Sequence, residues 1–413
     1  MFIYINKKYA LIVLAVFFIH TTIASPQNSP RVITLDEAIE IGISNNHSLV
    51  LSKLDIDISR ARVREAKSEY YPQIESRIVV PFVERESGFF LDQLIWDFGR
   101  TSNIVKATKF ELAASEYNMD QKLRETVQNT TIAYYRALID KNFVISAEKS
   151  LIKNELIVQK TEELNKIGRN SNIDLTRAKS DLGEARLELH RQKNNFIVSK
   201  LELVDTIGAE FAKDIDLVDE DEVEVRDYNL ESSLEKAVSN SAELKRVDAL
   251  LSANRANAKA SKSEFYPLIF GRTAYRFEGE GGEDFPAFIA GLGFRFPIFE
   301  GFARFARLDI RKAESTRSLI QYEKTKKEIQ TEVTTIFMDL EFSKQRMEIT
   351  KSNLDIARKN LDLINERYKL GTASRIELVD AELFYAESNS KYLESIYNYK
   401  INETKLQAYT GEI

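Results

Sequence analysis

The sequence predicts a mainly α-helical fold with a small β part, built as two tandem repeats whose four strands close into a membrane barrel only when several chains pool them. Three observations predict it. First, the stretches Thr101 to Ile167 and Phe302 to Leu370 hold no Gly and no Pro, although the 413 residues include 15 Gly and 7 Pro. Second, short residue patterns recur at an offset of 195 and, further along, of 203. Third, two windows between the helical stretches alternate apolar and polar residues, the period of a strand with two unlike faces.

The N-terminus has the layout of an export signal. Lys7 and Lys8 precede an unbroken apolar run from Ala10 to Ile19, and Thr22-Ile23-Ala24 supplies small residues for cleavage after Ala24. The run is shorter than the roughly 20 residues a spanning helix needs. The expected organisation is a signal peptide over 1–24, a first repeat over 25–208, an acidic joint over 209–229 and a second repeat over 230–413.

Each repeat reads helix, two strands, long helix, shorter helix. The first helix starts at Thr34, where Glu37 completes a capping box; Asn229 is the matching cap of the second copy. It runs to near Tyr70, where Pro72 stops it, and Pro267 does the same at the end of the matching words Lys67-Ser68-Glu69-Tyr70-Tyr71 and Lys262-Ser263-Glu264-Phe265-Tyr266. The strands follow, at 73–83 and 89–96 in the first copy and 268–277 and 287–298 in the second. Ile74, Ser76, Ile78, Val80 and Phe82 face one way and Gln73, Glu75 and Arg77 the other. In the second copy Phe288, Ala290, Leu292, Phe294 and Phe296 alternate with Gly291, Gly293 and Arg295. Trp96 and Phe299 close the windows, where an aromatic belt lies in barrels that meet lipid. The long helices, about 100 Å at 1.5 Å per residue, exceed what a compact domain uses. Leu354, Ala357, Leu361, Ile364 and Tyr368 step by three and four, the seam of a packed helix pair. The glycines Gly168 and Gly371 then turn the chain into the shorter helices.

The change of offset places eight extra residues between Pro267 and Phe299, in a loop that holds the acidic, Gly-rich run Glu278 to Asp284. Four strands cannot close a membrane barrel, since the smallest have eight. Open edges are excluded from lipid because every backbone N–H and C=O must be paired. Three chains give twelve strands.

Composition excludes several classes. A net charge of −6, with no basic run interleaved with aromatics, argues against nucleic acid. A mean hydropathy of −0.32 excludes a polytopic helical membrane protein. Zero Cys and three His leave no disulfide, thiolate or zinc motif, and no nucleophile–base pair or phosphate loop stands out, so neither an enzyme nor a cofactor is expected. His47 reads as a surface helix residue, not a metal ligand. The acids from Asp214 to Glu224 read as a solvated joint, without the glycine and terminal Glu of a calcium loop. The competing class is an exported periplasmic coiled-coil adaptor or structural protein without a barrel; it leaves the two strand windows unexplained.

The signal, the duplication, the Tyr-Pro strand starts, the turn Trp96-Asp97-Phe98-Gly99-Arg100 and the two glycine-hinged helix pairs together resemble the TolC-type outer-membrane efflux proteins. The resemblance covers Ile33 to Gly411. It implies a homotrimer with a twelve-stranded barrel in outer-membrane lipid and an α-helical barrel across the periplasm. It also implies an exit duct for tripartite efflux or type I secretion, working with a periplasmic adaptor and an inner-membrane transporter. The family's frequent Asn-Pro pair is replaced here by Asn46-His47 and Asn240-Ser241, and the second strand-to-helix turn reads Phe299-Glu300-Gly301-Phe302-Ala303-Arg304.

By the same resemblance, Gly168 and Gly371 mark the periplasmic tip. Glu377 and Asp380 match the family's ring of constricting acids, and Tyr368 and Asp174 match two members of a polar latch that holds the tip shut. The basic latch partner falls on Ala373, with Arg375 two residues on as a substitute. Ser374-x-x-Glu377 and Ser171-x-x-Asp174 are equally helix N-caps with an acid in the first turn, so capping stands beside pore lining for Glu377 and beside the latch for Asp174.

Overall fold

A computed structural model describes residues 31–77, 88–209, 215–219, 224–276 and 288–413. The signal segment, strand residues 78–83, the acidic insert 278–284 and the joint acids Asp214 and Glu220 to Glu222 lie outside the described residues. Within them the chain runs β1 (Arg31–Ile33), α1 (Leu35–Asn45), α2 (His47–Ser68), β2 (Gln73–Arg77), β3 (Gly88–Trp96), α3 (Arg100–Lys166) and α4 (Asn172–Ile207). It continues β4 (Ile215–Leu217), α5 (Leu230–Asn240), α6 (Ala242–Ser263), β5 (Leu268–Arg276), β6 (Phe288–Arg295), α7 (Ala303–Lys369) and α8 (Arg375–Thr410). The helices of the two repeats match in length: α3 and α7 have 67 residues each, α4 and α8 have 36 each.

The expected single first helix of each repeat is in fact two. Asn46 adopts extended backbone, Ser241 leaves the helical region at ψ 118°, and each caps a second helix, with Asn46 Oδ1 accepting from the N–H of Ser48 at 2.8 Å and Ser241 Oγ from that of Leu244 at 3.2 Å. A short polar side chain that bonds the backbone competes with helix continuation, which breaks the helix without proline. The Thr34 box forms as expected. The last strand ends at Arg295, not at residue 298, and Pro297 just beyond it has no N–H for the ladder.

The four long strands form one antiparallel sheet in the order β2-β3-β5-β6. Below it the helices form open rows in the same sense: α2-α3-α6-α7 next to the sheet and α4-α3-α8-α7 further away. Helices α3 and α7 run through both rows. Where the rows meet, a girdle closes the waist. There β1 and β4 pair in parallel, Ile33 opposite Leu217, a contact sequence patterns did not suggest. The buried hydroxyl of Tyr134 ties them, donating to the carbonyls of Ile33 at 3.0 Å and Val218 at 2.9 Å. Ile33, Leu138, Leu203, Ile207 and Tyr397 fill the core around it.

Candidate functional site at the two ends of the rows

The chain turns at the far end because Gly168 and Gly371 take φ of +71° and +74°, a conformation that costs other residues roughly 1–2 kcal/mol. Neither glycine has a neighbour a Cβ would strike, so backbone conformation alone requires it. In the first turn Asn165 Nδ2 donates to the Asn170 carbonyl at 3.1 Å and to Asn172 Oδ1 at 3.0 Å. In the second, the Arg367 carbonyl accepts from the N–H of Thr372 at 2.8 Å and of Ala373 at 3.2 Å, and the Arg367 guanidinium donates to the Thr372 carbonyl at 3.1 Å.

The expected site residues crowd these turns. Asp174 and Glu377 close capping boxes at the starts of α4 and α8: Ser171 donates its N–H to Asp174 Oδ2 at 3.3 Å, and Ser374 to Glu377 Oε2 at 2.6 Å. The Ser374 N–H, then its hydroxyl, hold the Glu377 carboxyl below its ordinary pKa, with Arg367 and Lys160 adding to the effect. Asp380 sits one turn on and pairs with Lys153 of α3. Glu382 pairs with Lys149 at 3.2 Å. The acids of α8 thus face a lysine stripe on α3 that sequence reasoning missed, although Lys149, Lys153 and Lys160 are spaced four and seven apart, one face of a helix. The structure does not join Tyr368 to Asp174. The carboxylate of Asp174 is taken by Ser171, and the Tyr368 hydroxyl makes no hydrogen bond among the described residues. Arg375 is exposed at the first position of α8, without an ion pair among the described residues.

At the opposite end the sheet has two unlike faces. Ile74, Leu292 and Phe294 are 73%, 81% and 79% exposed on one face. The other carries Gln73, Glu75, Arg77, Asp92, Arg272 and Arg295. Arg272 grips Asp92 through Nε at 2.6 Å and Nη2 at 2.8 Å. Phe270 lies between the guanidiniums of Arg272 and Arg295, 5.4 and 5.6 Å from its ring centre, over Gly293, where a Cβ would strike the ring. This face roofs a cavity of about 680 Å³ that Arg62, Glu69, Asp97 and Arg100 line from below. Among the described residues no helix is long and apolar enough to cross a membrane, and no three His, Cys, Asp or Glu side chains cluster as a metal site. His47 is exposed at the start of α2. The arrangement offers an apolar sheet face for lipid, a polar concave face for water and a charged rim at the tip.

Residues 233–412 match the model of the outer membrane efflux protein family. The toluene efflux pump outer membrane protein TtgC of Pseudomonas putida is 24% identical over 388 residues, covering 86% of this chain and 78% of TtgC. Among solved structures, the outer-membrane channel OprN superposes with a TM-score of 0.76 at 17% identity, over 91% of this chain and 89% of that one. The CmeC outer membrane channel of Campylobacter jejuni gives 0.75 at 14% identity, over 91% and 85%.

Proposed function

The chain belongs to the outer membrane efflux protein family, and from that premise we propose that it is the passive exit duct of a tripartite efflux pump or type I secretion system. It is a homotrimer that spans the outer membrane and the periplasm and works with an adaptor and an inner-membrane transporter. It carries out no reaction of its own; the pump supplies the energy, and the duct supplies a water-filled path. In this reading the two repeats, 25–208 and 230–413 around the joint 209–229, each contribute half of a subunit's wall.

One observation carries the proposal: the sheet and both helix rows are open in the same order, with β2, α2 and α4 at one side and β6 and α7 at the other. Unpaired strand edges cannot persist in lipid. Side-by-side closure of three copies pairs both edges of every sheet and covers both ends of every row. The test is the native mass of the protein extracted in mild detergent from separated outer membranes. A trimer is expected, and a monomer would sink the proposal.

At the tip, we assign Glu377 and Asp380 to the constriction, with Tyr368, Asp174 and Arg375 around it and Gly168 and Gly371 as its hinges. Capping and pore lining are compatible, because a carboxylate that accepts one backbone N–H keeps lone pairs for the passage. Three copies of each acid around one axis favour cations and hold multivalent ones. Glu377→Ala with Asp380→Ala is expected to weaken block of channel current by multivalent cations at least tenfold. Unchanged block removes these acids from the constriction.

A further inference from the structure

We propose, on the trimeric reading above, that β6 joins β2 of the partner subunit in the register of the internal β3–β5 joint, setting Arg295 against Arg77 of the partner subunit. Register transfers between the repeats. In the first hairpin Gln73 pairs with Asp92 and Ile74 with Leu91; in the second, their counterparts at +195 and +203 pair, Leu268 with Arg295 and Ile269 with Phe294. The internal joint pairs Asp92 with Arg272 and Gln93 with Gly271. The same offsets carry these pairs to Arg295 with Arg77 of the partner subunit, and Phe296 with Ser76 of the partner subunit.

The helices support this placement independently. Within the subunit, Ser146 of α3 meets Ser390 of α8, oxygen to oxygen at 2.6 Å. The same operation carries that contact to Ile349 of α7 and Leu187 of the partner subunit's α4. These two side chains are 63% and 71% exposed in the single subunit. Ile349 belongs to a stripe of Phe342, Ile349, Ile356 and Leu363, each at least 57% exposed, at steps of seven along α7. One placement therefore pairs the strand edges and covers apolar residues that water would otherwise surround.

The charges differ between the two kinds of joint. The internal joint holds the bidentate Asp92–Arg272 pair. The closing joint sets two guanidiniums side by side, with Glu75 3.6 Å from Arg77 on the same strand. Like charges directly opposite weaken a strand pair, and dissolved salt screens them. The three closing joints are thus the salt-strengthened ones and line the duct at membrane level with arginine. The competing register, two residues over, sets Arg295 against Glu75 of the partner subunit.

The chain has no Cys, so introduced cysteines report cleanly. In the full-length protein in outer membranes, Ser76→Cys with Phe296→Cys is expected to cross-link subunits on oxidation at least fivefold more than Ser76→Cys with Phe294→Cys. The second pair is opposed only in the competing register. The reverse ranking, or no cross-link from either pair in a trimer of normal native mass, overturns the register and leaves the duct standing; a monomeric native mass overturns both. Arg295→Asp recreates the internal pair at the closing joint. It is expected to raise the temperature at which the trimer dissociates in low salt and to abolish any gain from added salt. A lower temperature with the salt gain retained overturns the like-charged joint.

Discussion

Helices α3 and α8 occupy the middle of the lower row, and α4 and α7 its ends, although α7 is the repeat counterpart of α3 and α4 of α8. The inner pair buries large side chains, Tyr134, Leu138, Ile396 and Tyr397 among them, and secures its joint with Ser146, Ser390 and the lysine–acid ladder. The outer pair leaves Met338, Ile349, Leu363 and Leu187 more than half exposed. The same helix lengths occur twice, and position within the row separates faces with polar locks from faces with exposed apolar side chains.

The largest expected effect separates the two pairs. Tyr134→Ala should cost about 3–5 kcal/mol in denaturant unfolding of the detergent-solubilised protein, since it empties a core site and frees two carbonyls. Ile349→Ala should leave that unfolding nearly unchanged and instead lower the trimer's dissociation temperature. Similar unfolding losses for both would break the distinction between inner and outer helices.

The two strand-to-helix turns differ as well. Each has two consecutive residues at positive φ, Phe98-Gly99 in one and Gly301-Phe302 in the other, so glycine and phenylalanine have exchanged places. Asp97 caps the first turn, accepting from the N–H of Gly99 at 3.0 Å and of Thr101 at 2.6 Å. Its counterpart Glu300 reaches Arg304 and Arg307 instead. Phe302→Gly should stabilise by about 1 kcal/mol, whereas Gly99→Ala should destabilise by about the same amount, both read by thermal unfolding. If Phe302→Gly destabilises, the exposed ring carries contacts that outweigh its backbone strain.

At the tip the effects are smaller and local. Ser374→Ala and Ser171→Ala should each cost about 1 kcal/mol at the helix start they cap, seen as faster amide exchange in the first turn of α8 or α4. The cap at α8 also depends on pH. Because the folded state holds the Glu377 carboxyl below its ordinary value, its contribution is present above the unfolded value and fades as pH falls through the folded one. Asp140 on α3 runs the opposite way. Burial, with nearby Glu202, raises its pKa against the Ser199 hydrogen bond, so the folded state loses stability as pH climbs through the raised range. Asp140→Asn should remove that decline, the smallest change of the set, measured by thermal melts from pH 4 to pH 8.

Composition and spacing were enough to read the parts that obey one-dimensional rules. The missing Gly and Pro announced the two 67-residue helices, and period-two alternation assigned the sheet faces. The breaks at Asn46 and Ser241 were hidden because both residues also occur inside helices, and only the non-helical backbone there reveals the cap. The β1–β4 pair was hidden because three residues carry no readable period and their partner lies beyond the whole first repeat. At the tip, the family resemblance pointed to Glu377, Asp380 and Asp174, whereas the lysines of α3 share one helix face by their spacing, and only packing shows that this face meets α8.

The unbroken span of α3 from sheet to turn makes it a lever as well as a wall. From the girdle at Tyr134 to its end at Lys166 the arm measures roughly 48 Å at 1.5 Å per residue. A tilt of only about 5° around that fulcrum moves the Lys166 end through about 4 Å, more than the width of a water molecule. A 67-residue helix without Gly or Pro bends only gently, so a tilt at the girdle is carried along the shaft towards the turn at Gly168.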